Sequence, residues 1–92
     1  MAAKIEYRQK EIRVYLSGEI DHHSASLIRA SIDDAIIHKH PSLLVLDFSA
    51  VTFMDSSGIG LVMGRYKLMK TVQGRIRVEN LSPGAYKVMV LA

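Results

Sequence analysis

The sequence predicts an α/β domain: a mixed four-stranded sheet with crossover helices, in the order strand, strand, helix, strand, helix, strand, helix. Three observations carry this. Two short segments near the start alternate apolar with polar residues. Two longer segments repeat their apolar residues at three- and four-residue steps. Between those longer segments lies Leu43-Leu44-Val45-Leu46, a continuous apolar run of the kind that fills a strand buried on both faces. Helical crossovers between strands imply parallel neighbours and right-handed connections, and the opening hairpin supplies an antiparallel pair.

Ile5 and Tyr7 alternate with Lys4, Glu6 and Arg8, a half-exposed first strand. Ile12, Val14 and Leu16 alternate with Arg13, Tyr15 and Ser17, a second strand that Gly18 is expected to end. Gln9-Lys10 is the turn between them. From Ser24 the period changes: Ala25, Ile28, Ile32, Ala35 and Ile36 share one helical face, while Arg29, Asp33 and Lys39 fall elsewhere. Asp21 or Ser24 can cap this helix, and His40-Pro41 stops it, because the residue before proline disfavours the α region. After the buried strand, Asp47 to Asp55 reads as a loop. Ser56 or Ser57 opens a second helix whose apolar face is expected to carry Ile59, Val62, Met63 and Tyr66, closed by Gly74. Arg75-Ile76-Arg77-Val78-Glu79 alternates again, and Ser82-Pro83 is an N-cap with proline at the first helical position.

Composition narrows the function classes. A chain of 92 residues suffices for one domain, spanning 1–92. Hydrophobic residues make up 49% and charged residues 23%, the balance of a globular protein rather than a disordered one. The absence of cysteine removes disulfide frameworks, zinc-thiolate sites and thiol chemistry. No uncharged apolar run is long enough to span a bilayer and no signal-peptide pattern opens the chain, so a cytoplasmic location without membrane attachment is the expectation. The net charge of +3 comes from scattered Lys and Arg. Only Arg75 and Arg77 alternate with apolar residues, and no aromatic residues interleave with basic ones, so direct nucleic-acid binding is not expected.

The informative stretch is Phe53-Met54-Asp55-Ser56-Ser57-Gly58-Ile59-Gly60, between the central strand and the second helix. Sites in α/β sheets gather beyond the carboxyl ends of strands, and a helix N-terminus favours negative charge. A phosphate on Ser56 would meet those donors. Gly58 and Gly60, lacking side chains, leave room for another protein's backbone or a nucleotide phosphate to come close.

Met54-Asp55-Ser56-Ser57-Gly58-Ile59-Gly60, followed by Gly64-Arg65-Tyr66-Lys67, resembles the phosphorylation segment of anti-sigma-factor antagonists with the STAS fold, most closely the stage II sporulation type. Leu16-Ser17-Gly18-Glu19-Ile20-Asp21-His22-His23 is similar to that family's loop after its second strand, and the likeness covers about Ile5 to Pro83. The resemblance implies partner switching. The unphosphorylated antagonist binds an anti-sigma factor that is also a serine kinase, and a sigma factor is freed. Phosphorylation of Ser56 then releases the antagonist, and a metal-dependent phosphatase of the 2C type restores it. It further implies Asp21, Asp55 and Ser57 as supporting residues. The family pattern continues past the third helix, whereas this chain stops at Ala92, so a shortened C-terminus with exposed apolar surface and self-association is expected.

Other chemistries fit less well. Gly58, Gly60 and Gly64 match neither the dinucleotide fingerprint nor a Walker A loop, so no nucleotide or other cofactor is expected. His22, His23, His38 and His40 lack metal-ligand spacing, and no metal is expected. The nucleophile elbow Gly-x-Ser-x-Gly is absent around Ser56, which argues against a hydrolase and for a protein that is not an enzyme. The second reading is a STAS-like interaction or scaffold module without a phosphorylation cycle.

Overall fold

The computed structural model describes residues 3–91, and its elements appear in the expected order: β1 (Ala3–Arg8), β2 (Glu11–Ile20), α1 (His22–Lys39), β3 (Leu43–Met54), α2 (Ser56–Thr71), β4 (Arg75–Glu79) and α3 (Pro83–Leu91). The sheet order is β1-β2-β3-β4, antiparallel in the first pair and parallel in the other two. Strand alternation sends Ile12, Val14, Leu16, Leu44 and Leu46 to one face. There they join Ile28, Ile32, Ala35 and Ile36 of α1 and Leu61, Val62 and Met69 of α2 in a single core. Both long helices therefore lie on the same side of the sheet, in a two-layer domain. Among the described residues no helix is long and apolar enough to cross a membrane.

Several boundaries differ from the sequence expectation, each for a nonlocal reason. Gly18 does not end β2. It takes a left-handed φ of 76° inside the strand, beside a register shift, and pairing resumes through Glu19↔Phe53 and Ile20↔Met54. A glycine adopts that conformation without strain, so the residue marks a bulge. The stretch from Asp47 to Asp55 is not a loop, since β3 runs on to Met54 by pairing with this prolonged β2. Helix α1 starts at His22, two residues before Ser24, because Asp21 is its cap. On α2 the buried face is Gly58, Leu61, Val62, Arg65 and Met69, whereas Met63 and Tyr66 are exposed. Gln73 takes the left-handed turn after α2, not Gly74. Gly74 is needed for closeness, as a Cβ there would lie 2.7 Å from the carbonyl oxygen of Pro41.

The sheet face away from the helices is covered by charged side chains instead of a third layer. Val45 sits between Arg13 on β2 and Arg77 on β4 in register, and it is fully buried. Both arginines reach Glu79, Arg13 Nη1 at 2.7 Å and Arg77 Nε at 2.9 Å, so their stems close over the valine. Asp47, also buried, accepts the backbone N–H of Ser49 at 2.8 Å and the side-chain amide of Asn80 at 3.2 Å, which ties β3 to the turn leading into α3.

These carboxylates make stability acid-sensitive. Burial pushes the Asp47 pKa up, but the hydrogen bonds from Ser49 and Asn80 and the charge of Arg13 outweigh it and leave the group below its ordinary value. Glu79 is held down by its hydrogen bond from Arg13. A carboxylate with a depressed folded pKa contributes stability above its unfolded pKa and loses it as pH falls through the folded one. The melting temperature should therefore decline as pH drops below about 4, and thermal unfolding of Asp47→Asn should show a shallower decline. An equal slope in both proteins would remove Asp47 from the account.

Candidate functional site

The pairing Ile20↔Met54 brings the ends of β2 and β3 to the same level. The next residue in each strand is an aspartate, and each aspartate caps the helix that follows. Asp21 accepts the backbone N–H of Ser24 at 2.9 Å while the Ser24 hydroxyl accepts from the Asp21 N–H at 3.0 Å, a reciprocal capping box. Asp55 accepts the N–H of Ser57 at 2.8 Å, and its own N–H donates to the carbonyl of Ile20 at 3.2 Å. Two helix N-termini thus open side by side at the carboxyl edge of the parallel strands, where unpaired N–H groups favour anions. The hydrogen bond from the Ser24 N–H holds the Asp21 pKa below its ordinary value, so Asp21 is ionised near neutrality.

Ser56 is the first residue of α2 and is exposed. Because Asp55 takes the capping role, neither Ser56 nor Ser57 supplies the cap. Among the described residues nothing hydrogen-bonds the Ser56 hydroxyl, and the oxygen faces solvent. Ser57 is half-buried on the next position. Gly58 is buried, and a side chain there would collide with Met54. Gly60 faces open space. The structure therefore gathers Ser56, Asp55, Ser57 and Asp21 at one edge, with Asp21 and Asp55 as anchors of the two helices.

Sequence reasoning missed a feature beside this edge. The seam between α1 and α2 opens into a shallow groove of about 280 Å³, rimmed by His22, Ser26 and Arg29 on α1 and by Ser57 and Gly60 on α2. Farther along the seam, Arg65 is buried, with its Nε 2.7 Å from Asp33 Oδ1. The signal for Arg29 and Asp33 was present in their spacing, four residues apart on one stripe of α1, but that stripe carries no apolar pattern.

Comparison with known proteins identifies the family to which this fold belongs. A STAS domain model matches residues 3–92. The chain is 35% identical over 86 residues to the anti-sigma F factor antagonist of Paenibacillus polymyxa, covering 94% of this chain and 74% of that protein. The structure of the anti-sigma factor antagonist SpoIIAA in its unphosphorylated form superposes with a TM-score of 0.89 at 37% identity, covering 98% of this chain and 79% of that one. The phosphorylated form of Bacillus SpoIIAA gives 0.82 at the same identity, over 98% of this chain and 82% of that one. With a domain match along nearly its whole length and relatives above 30% identity, the chain belongs to the STAS domain family and, within it, to the anti-sigma factor antagonists.

Proposed function

We propose that this chain binds an anti-sigma factor in its unphosphorylated form, thereby freeing a sigma factor, and that phosphorylation of Ser56 ends the interaction. The observation that carries the reading is the Ser56 hydroxyl: exposed, unbonded and at a helix N-terminus whose capping is done by the neighbouring Asp55. Two solved relatives, one unphosphorylated and one phosphorylated, support a modification cycle. In this reading the anti-sigma factor is also the kinase. Ser56 Oγ attacks the γ-phosphorus of ATP, the bond to the bridging oxygen breaks, ADP leaves, and the hydroxyl proton passes to a base of the kinase. A phosphatase of the 2C type hydrolyses the phosphoserine and restores the hydroxyl. The chain itself is a regulator acting by association, not a catalyst.

Phosphorylation adds about −1.5 to −2 charge and three acceptor oxygens. The helix N-terminus tolerates that group within the domain. A partner surface fitted to a neutral hydroxyl does not, because it would have to bury the bulk and the charge without a counter-ion. Incubation with the cognate anti-sigma factor and Mg-ATP, followed by mapping with tandem mass spectrometry, is expected to place one phosphate on Ser56. Phosphate on Ser57 instead would overturn the assignment of the acceptor. Tight binding with no incorporation would leave an interaction module without a cycle.

A further inference from the structure

We infer that the groove between α1 and α2 seats an acidic side chain of the anti-sigma factor, with Arg29 as the counter-charge that receives it. The inference rests on the proposed function and names the chemistry by which the same edge recognises its partner. The groove is floored by Ala25 and Leu61, and no carboxylate lines it. Arg29 is exposed, and among the described residues it has no ion pair or hydrogen bond. One helical turn farther along α1 lies Asp33. Asp33 is the carboxylate paired with Arg65. The seam therefore carries two guanidinium groups against one carboxylate, and Arg29 is the charge left unpaired on the groove's rim, whereas the carboxylates of Asp21 and Asp55 at its mouth are engaged in capping their own helices. A planar fork of N–H donors suits bidentate pairing with a carboxylate.

The glycines on α2 agree. Gly60 and Gly64 are one helical turn apart, and a Cβ built on either meets nothing within 4 Å. Glycine in a helix interior is destabilising relative to alanine, and no contact inside this domain requires it at these positions. Their absent side chains leave the α2 surface beside the groove low enough for a partner's backbone to approach and carry its acidic side chain to Arg29. The same geometry connects to the switch. A phosphate on Ser56 precedes Ser57 on the groove's rim, so it would bring a second anion to the place where the partner's carboxylate sits.

The test is the affinity of the anti-sigma factor for the unphosphorylated chain and for Arg29→Lys, Arg29→Gln and Arg29→Glu, measured by calorimetry at low and moderate salt. Because Arg29 is exposed and unpaired, all variants should melt within a few degrees of the wild type. Arg29→Glu is expected to weaken binding by about thirtyfold or more, Arg29→Gln by roughly five- to tenfold with a reduced salt dependence, and Arg29→Lys least. Replacing one acidic residue of the anti-sigma factor at a time by lysine should then restore affinity for Arg29→Glu at one position. Binding by Arg29→Glu within twofold of wild type, while phosphate on Ser56 still abolishes the complex, overturns the groove and leaves the proposed function standing. Failure of the wild type to bind at all removes both. Loss of binding that no lysine substitution restores, with inorganic phosphate competing for the groove, assigns it to a free anion and also overturns the inference.

Discussion

Phosphorylated at Ser56, the chain is expected to bind its anti-sigma factor about a hundredfold more weakly than the unmodified protein, which corresponds to about 2.7 kcal/mol. A dianion pressed into an interface built around a hydroxyl readily supplies a penalty of that size. Ser56→Asp, with a single charge and a shorter reach, should weaken binding by at least about tenfold, and Ser56→Ala should bind like the wild type while accepting no phosphate. Stability separates this mechanism from misfolding. Ser56 is the first residue of α2, where a negative charge meets the positive end of the helix, so Ser56→Asp should melt at or slightly above the wild-type temperature. Weak binding accompanied by a large fall in melting temperature would point to damage instead of switching, and equal affinities for the Ala and Asp variants would sink the switch.

The largest stability effect is expected at Arg65. Its side chain is 6% exposed, its Nε meets Asp33 Oδ1 at 2.7 Å, and neither atom of that contact nor Nη1 completes a well-directed hydrogen bond. The interaction is therefore ionic attraction between α1 and α2 rather than a forked hydrogen-bonded pair, and burial pulls the Arg65 pKa down against the pull of Asp33. Arg65→Ala removes the counter-charge of Asp33 and the stem that fills the seam. A cost of about 3 kcal/mol is expected, toward the low end for broken buried pairs because Asp33 can still reach water. In a domain of this size that lowers the melting temperature by roughly 12–24 °C. Arg65→Met combined with Asp33→Asn restores packing without a stranded charge and should recover most of the loss. A double variant no more stable than Arg65→Ala would show that the charges, not the filled volume, hold the helices together.

How much of this was legible in the sequence depended on whether the cause was local. The core face of α1 follows from the spacing of Ile28, Ile32, Ala35 and Ile36, and all four are buried. The buried run Leu44 to Leu46 was equally plain. The extension of β3 through Ser49-Ala50-Val51-Thr52 was not, because those residues lack an apolar pattern and are held straight by β2, some thirty positions earlier in the chain. The face of α2 was misread for a related reason. Met63 and Tyr66 look like core residues and Arg65 looks like a surface one, yet Arg65 is the buried one and is paired with Asp33 across the seam, while Met63 and Tyr66 are exposed. At the site, the motif drew attention to the segment around Ser56, but assigning the cap to Asp55 instead of a serine needed the backbone geometry. Arg29 carried no motif at all.

The level ends of β2 and β3 have one more consequence. Each aspartate anchor is tied to the strand it ends and to the helix it caps, so the rim is braced from both sides. Under the proposed function, a phosphate added beside these anchors is therefore expected to be read by the visiting protein at the rim, and the lifetime of that complex is expected to set the tempo of the response.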